Sequence, residues 1–432
     1  MSERTHAFIP STDVPLLYFG FAHACLGTAF AVLVVDPAIP GPFFLHPHLV
    51  ALVHLVTLGW ISGSILGAFY IVAPLALRMP LRTGWLDRAA FAAFAVGVVG
   101  MVTRFWAGQY TAMSWLAVLV AAAVLHVAIR SWIGLVAAVV PWPVKLHVAL
   151  AFVNMIVASL FGIVLGLNRS FAWFTWSPLS GAYAHLHIAA VGWGTMMFVG
   201  LGYRLIPMIV PTAMPTARSM ALSAVLLQSG LAVLVLALMT QSVWQAAGAL
   251  LIVGGLVSFV MHVRMALRHK LPPPAALPRP DWATWQTHVA LLWLVIAAGA
   301  GVFISWPGRD AAFEVNWVYG AAGLVGFLAQ VIAGMQGRLL PMHAWYAAFD
   351  AAGRKPPSRS AHTLASPRLA QLIFVCWTLG AAALALGLAR AIPSMVRVGS
   401  GILLCAVVLG AWQGVRINRL SRSEGDATRR SG

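Results

Sequence analysis

Residues 54–75 read HLVTLGWISGSILGAFYIVAPL, and residues 187–208 read HIAAVGWGTMMFVGLGYRLIPM. Laid over one another at an offset of 133 with no gap, they share His54/His187, Gly59/Gly192, Trp60/Trp193, Gly67/Gly200, Tyr70/Tyr203 and Pro74/Pro207. Apolar helices resemble one another by composition through Leu, Val and Ala. A histidine, a tryptophan, a tyrosine and a proline held at fixed spacing are a different kind of likeness. A third copy, AAGLVGFLAQVIAGMQGRLLPM at 321–342, keeps Gly326, Gly334 and Pro341, and its RLLPM echoes RLIPM at 204–208. Ala321 stands at its histidine position.

The chain around these copies has 432 residues, 61% of them hydrophobic and 9% charged, with 10 Asp and Glu in all. Soluble globular domains carry about 25% charged residues. So apolar a chain cannot clothe a water-soluble surface, which excludes a disordered protein, a secreted disulfide scaffold and an ordinary cytosolic enzyme, and implies a polytopic membrane protein in contact with the lipid bilayer. A helix crosses the bilayer core in about 20 apolar residues. Twelve such stretches are predicted: 14–36, 45–76, 86–105, 111–133, 144–168, 180–210, 217–240, 243–267, 285–306, 316–340, 369–389 and 395–415. Residues 1–13 are polar and the first apolar stretch is too long for a cleaved leader, so it reads as a retained span.

Twelve spans put both ends of the chain on one side, and 22 of the 27 Lys and Arg fall on that side. The positive-inside rule makes it the cytoplasm of a bacterial-type inner membrane. This loop bias accounts for the net charge of +17 without a nucleic-acid partner. Arg104, Arg169, Arg309, Arg390 and Arg397 fall outside. Cys25, Cys376 and Cys405 all lie in apolar stretches and form no CxxC or CxxCH, so neither a thiolate metal site nor covalent haem attachment is encoded.

The three copies fall on spans two, six and ten. The expectation is an all-α integral membrane protein of one domain, built as three four-helix repeats with pseudo-threefold symmetry. The units run over about 14–133, 144–267 and 285–415, with 416–432 a polar cytoplasmic tail. The opening helices match weakly through HACL at 23–26 and HVAL at 147–150 and 288–291. The fourth helices carry His126, His262 and Gln413, each near an arginine. The shared glycines are expected to let helices pack closely, and each shared proline to close the cytoplasmic end of its helix.

Spans two and six start on the outer face, which puts His46, His48, His54, His185 and His187 in the outer half of the membrane. His54 lies about 13 Å along its helix. An ionisable side chain inside the bilayer is costly and marks a functional site by default, and imidazole is the usual ligand of haem iron and copper. His54 and His187, equivalent in the repeat, are expected to oppose one another across a haem. His185 and His187 stand about 200° apart around their helix, so they face two neighbouring gaps. The cofactor candidates are His54, His187, His185 and His48. For a metal they are His54, His187, His185 and His46, with His46 and His48 equally readable as interfacial. His23, His126, His147, His262 and His288 taken singly read as hydrogen-bonded structural residues, while His6, His269 and His362 read as solvated. The Trp60/Trp193 and Tyr70/Tyr203 pairs read as packing residues. Asp36, Asp310 and Glu314 fall in outer loops and Asp87, Asp281 and Asp350 at cytoplasmic ends, so no carboxylate sits in mid-membrane as a proton-coupled transporter would want. No GxGxxG, Walker A or HExxH motif appears.

The stretch AHLHIAAVGWGTMMFVGLGYRLIPM at 184–208, with the twelve-span plan and the outer histidines, resembles the catalytic subunit of the haem-copper oxidase superfamily, near the C-family oxidases and nitric oxide reductases. A second resemblance is to the NnrS family of haem- and copper-containing membrane proteins, whose WHAHEM motif is absent. The first implies that His54 is an axial ligand of a b-type haem and that His187 or His185 is a copper ligand. It also implies a His-His pair on span seven and an HxH on span ten. Residues 217–240 and 316–340 contain no histidine, and His343 falls beyond the predicted end of span ten. The usual dinuclear oxygen-reducing centre is therefore not encoded. What the resemblance implies is a divergent haem protein, an oxidoreductase if an enzyme, that exchanges electrons with a quinol or a periplasmic cytochrome c, alone or with partner subunits, or binds nitric oxide. A haem-free transporter or copper-handling protein and a scaffold subunit are the alternatives.

Overall fold

A computed structural model describes residues 8–41, 43–272, 276–308 and 313–430. His6, Arg309 and Asp310 lie outside the described residues. The described residues form helices and no strand. Twelve of the helices are long and apolar enough to cross a membrane: α1 Val14–Val35, α2 Pro47–Leu75, α3 Trp85–Trp106, α4 Tyr110–Ala137, α5 Trp142–Phe171, α6 Pro178–Met208, α7 Arg218–Met239, α8 Gln245–Leu267, α9 Trp282–Ser305, α10 Phe313–Ala351, α11 Pro367–Ala389 and α12 Pro393–Gly425.

Three of them are inside. About two thirds of α2, 61% of α6 and 56% of α10 is buried, against 44% or less in every other span. These are the three repeat helices. They touch one another, and the remaining nine close a ring around them in the order α1, α3, α4, α5, α7, α8, α9, α11, α12. The outward faces carry Leu160, Val225, Leu250 and Val295, apolar and exposed, as a lipid solvent demands.

The repeated glycines set the distance between each inner helix and the helix that precedes it in the chain. A Cβ on Gly67 would lie 2.8 Å from Cβ of Tyr18 on α1, and one on Gly200 would lie 2.6 Å from Cβ of His147 on α5. One on Gly334 would lie 3.0 Å from Oγ1 of Thr287 on α9. The glycines one step earlier, Gly59, Gly192 and Gly326, pack against Cys25, Asn154 and Trp293 in the same way. Tyr18 is thus the counterpart of His147, and the expected match of His23 to His147 is out of register. His23 instead sits edge-on to Trp60, with Nδ1 donating to the Phe19 carbonyl at 2.8 Å.

Each inner helix also widens into π-helical turns over eight residues: Leu55–Ser62, Ile188–Thr195 and Ala322–Ala329. These segments begin one residue after His54, His187 and Ala321. A π segment leaves a helix wider and is frequent at functional sites. Here it turns the repeat aromatics inward. Trp60 Nε1 donates to the Ala329 carbonyl on α10 at 3.1 Å, and Trp193 Nε1 donates to Ser62 Oγ on α2 at 3.1 Å. Phe327, the third counterpart, packs edge-on to Phe198 of α6.

One expectation at the end that carries both termini needs correction. Pro74 and Pro207 do sit within the last turns of α2 and α6, but Pro341 lies inside α10, which runs on to Ala351. His343 is therefore part of that helix. The polar stretch from 416 continues α12 as helix through Arg430. The extensions of α10 and α12 pack on each other, with Ser421 Oγ donating to the Ala344 carbonyl, Gly425 against Ala348 and Ile417 buried. That packing outweighs the bond that Pro341 removes.

Candidate functional site

The widened turns leave a space between the inner helices and the ring, at the end of the bundle away from the termini. It is a cavity of about 750 Å³, apolar over most of its wall, and His54, His185, His187 and Tyr319 all face it.

Backbone geometry fixes how two of these imidazoles are held. His54 Nδ1 donates to the Val50 carbonyl at 2.8 Å, and His187 Nδ1 donates to the Tyr183 carbonyl at 2.7 Å. Each acceptor lies one turn back on the same helix. With the proton on Nδ1, Nε2 carries a lone pair directed away from the helix, the arrangement in which a metal-bound histidine is held. His54 Nε2 is left for the cavity. His187 Nε2 accepts a hydrogen bond from Tyr319 Oη at 2.8 Å.

The histidines that meet are His54 and His185, not the expected His54 and His187. Their ring centroids are 6.3 Å apart and their planes 21° apart. His185 Nδ1 is buried without a hydrogen-bond partner. Phe105 of α3 also packs on His54, with centroids 4.7 Å apart. Gly162 of α5 makes room for His185: a Cβ there would lie 2.9 Å from Cε1 of the ring. A smaller cavity of about 80 Å³ is also lined by His54 and His185, together with Ser62 and Trp193. The pair therefore stands where the two spaces adjoin.

The repeat explains the pairing. His54, His187 and Ala321 occupy one position, and Leu52, His185 and Tyr319 lie two residues earlier in each copy. The first position of one copy meets the earlier position of the next copy. The result is a His54–His185 contact and a His187–Tyr319 contact. The third combination is Ala321 and Leu52, whose side chains carry no polar atom, and both line the same cavity. Residues two apart on a helix point about 200° apart, so His185 and His187 serve different interfaces.

His46 and His48 do not reach the cavity. His46 precedes the first turn of α2 and contacts His48 edge-on at 4.9 Å, and His48 stacks on Trp106 with centroids 3.9 Å apart. Both are anchored at the helix mouth. Among the described residues no group of three or more His, Cys, Asp or Glu could hold a metal ion. Tyr319, Tyr183 and Gly162 were missed from the sequence. The repeat alignment could have flagged Tyr319, because it shares a register with His185.

At the other end of the bundle a second polar cluster is closed on itself. Asp87 of α3 is fully buried. It accepts from Tyr70 Oη at 2.9 Å, Arg130 Nη1 at 2.6 Å and the Gly84 amide at 2.7 Å, with His126 Nε2 at 3.3 Å. His262 Nδ1 meets Ser219 Oγ at 2.9 Å, and Gln413 Oε1 accepts from the Ser366 amide at 3.1 Å. In this way α4, α8 and α12 each tie down the start of the helix before them.

No protein-family model matches the chain, and no curated protein matches it.

Proposed function

We propose that the protein is a haem-binding membrane protein of oxidase-like architecture that works in electron transfer, and that His54 and His185 would hold the haem. The observation that carries this reading is the 6.3 Å spacing of the two rings at the edge of the cavity. The donor set fits as well. The Val50 carbonyl holds the His54 proton on Nδ1, and the His185 ring lies against a glycine. A cavity of about 750 Å³ lies within the range of small-molecule and cofactor sites. When bound, haem supplies one-electron exchange. The chain's part is to hold both imidazoles and to exclude water with an apolar wall. A haem held by both imidazoles would favour electron transfer over nitric oxide binding.

The architecture we infer is three four-helix units about a pseudo-threefold axis. Its support is the recurrence of one glycine contact, one π segment and one third-to-fourth-helix tie in each unit. The positive-inside rule then puts both termini in the cytoplasm and the cavity in the outer half of a bacterial-type inner membrane. Electrons would come from a quinol in the bilayer or a periplasmic cytochrome c.

The test is an absorption spectrum of the detergent-purified protein, oxidised and reduced, with a pyridine haemochrome assay. About one haem per chain is expected, lost in His54→Ala and in His185→Ala and kept in His48→Ala. A colourless preparation from haem-replete cells overturns the reading and leaves a transporter or a scaffold subunit. Haem loss in His187→Ala with retention in His185→Ala would overturn the ligand assignment alone.

A further inference from the structure

The connection from α5 to α6 forms a thin part of the cavity wall. α5 ends where Ala172 turns left-handed, at φ 50°, and α6 starts at Pro178. Between them Phe174 lines the cavity and is also 43% exposed. A side chain that meets both the cavity and the outside is the whole thickness of the wall at that point. Residues 171–175 are all exposed, and Trp176 and Ser177 line the cavity beside Phe174.

Little holds this segment in place. Of the backbone groups of 173–176, those with a hydrogen bond are the Phe174 amide and carbonyl, and both bonds go to one side chain. Asn168 Oδ1 accepts from the Phe174 amide at 2.7 Å, and Asn168 Nδ2 donates to the Phe174 carbonyl at 3.1 Å. Both bonds are exposed. The rest is ring stacking, mostly among neighbours in the chain: Phe174 on Trp176 with centroids 4.3 Å apart, Phe171 on Trp173 at 5.3 Å, and Trp176 against Phe161 of α5 at 6.0 Å. Phe44, from the connection between α1 and α2, lines the same cavity but is fixed differently. It packs on Trp317 of the inner helix α10, with centroids 4.9 Å apart. A segment with few buried contacts and exposed hydrogen bonds opens at low cost in free energy. By that measure 172–177 is the part of the wall that moves.

We propose that residues 172–177 form a lid over the cavity, latched by Asn168 and opened by release of its two bonds to Phe174. The rings on its outer face, Phe171, Trp173 and Phe174, are of the aromatic kind that settles at a membrane–water interface, so swinging outward does not strand them in water. The lid governs entry from the end of the bundle away from the termini. It stands apart from what the cavity holds.

The test puts a thiol under the lid through Ala182→Cys, a small change at a cavity-lining position in the first turns of α6. The full-length protein in nanodiscs is treated with a charged methanethiosulfonate reagent, which does not cross lipid, and labelling at position 182 is timed by peptide mass spectrometry. Cys25, buried in α1, is timed in the same digest. Two exposed hydrogen bonds are together worth about ten-fold in the open population. Asn168→Ala should therefore speed labelling at position 182 about ten-fold and leave Cys25 unchanged. Hydrogen exchange at the Phe174 amide should rise by the same factor in Asn168→Ala, a readout that needs no added thiol. Equal labelling rates with and without the Asn168 side chain, whether fast or slow, overturn the proposal. So does a parallel rise at Cys25, which would mean general loosening, or an unchanged exchange rate at Phe174. Haem is assayed in the same samples, and rates are compared at matched haem content. A colourless protein that shows the latch sinks the haem reading only; a haem-loaded one without it sinks this inference only. A melting curve checks that both variants fold.

Discussion

Gly162→Ala tests the paired-histidine site without touching a ligand. The added Cβ would lie 2.9 Å from Cε1 of His185, whereas ordinary contacts begin near 3.4 Å. The ring must retreat by about 0.5 Å, or α5 and α6 must part. Ligand constellations tolerate about 0.5 Å of misplacement before function suffers, and overpacking of this kind costs about 1–3 kcal/mol. At about 1.4 kcal/mol per factor of ten, haem affinity should fall between about five-fold and a hundred-fold. The assay is titration of haem into haem-depleted protein, followed by the reduced absorption band, with the melting temperature measured in parallel. Combining Gly162→Ala with His185→Ala closes a double-mutant cycle. The overpacking penalty on stability should disappear once the imidazole is gone, because the truncated side chain leaves nothing for the new methyl group to strike. Unchanged haem affinity in Gly162→Ala, or a penalty that persists without the His185 ring, refutes the reasoning.

Other outcomes follow from the packing and the charges. Gly200→Ala drives a Cβ to 2.6 Å from that of His147, where neither backbone can yield, and should cost about 1–3 kcal/mol. Gly299→Ala meets nothing within 4 Å and should be neutral or stabilise α9 by about 0.5–1 kcal/mol; thermal unfolding in detergent compares the two. Asp87→Ala strips the counter-ion from Arg130 and leaves Tyr70 without its acceptor. Breaking a buried pair costs roughly 3–5 kcal/mol, and the lower end applies because Arg130 keeps access to solvent; equal melting temperatures would refute the buried assignment. His362, in the connection between α10 and α11, has its pKa held below the usual imidazole value by burial and then by the nearby Arg338. A depressed imidazole favours the folded form above its ordinary pKa of about 6.5 and loses that advantage as pH falls below it. Amide protection around 358–366 should therefore drop on acidification through about pH 6, and the drop should be absent in His362→Gln.

The sequence alone determined the number of membrane-length helices, because a bilayer demands a long apolar run and tolerates few charges. It also determined which three helices carry the repeat, because His, Gly, Trp, Tyr and Pro at fixed spacing survive among residues that lipid contact leaves interchangeable. His54, His185 and His187 were legible as candidates for the same reason, since an imidazole in an apolar run is costly. Which of them meet was not legible. Periodicity orders the side chains around one helix, but the partner across an interface depends on how three helices are rotated and offset against one another. The π segments change that rotation locally and leave no mark in hydrophobic pattern. His54 and His187 are equivalent in sequence, yet the structure brings neither to its counterpart: His54 lies beside His185 and His187 bonds to Tyr319. The end of α10 was misjudged for a related reason. A proline argues for stopping a helix, and only the packing of the α10 and α12 extensions on one another, visible in three dimensions, carries α10 past Pro341.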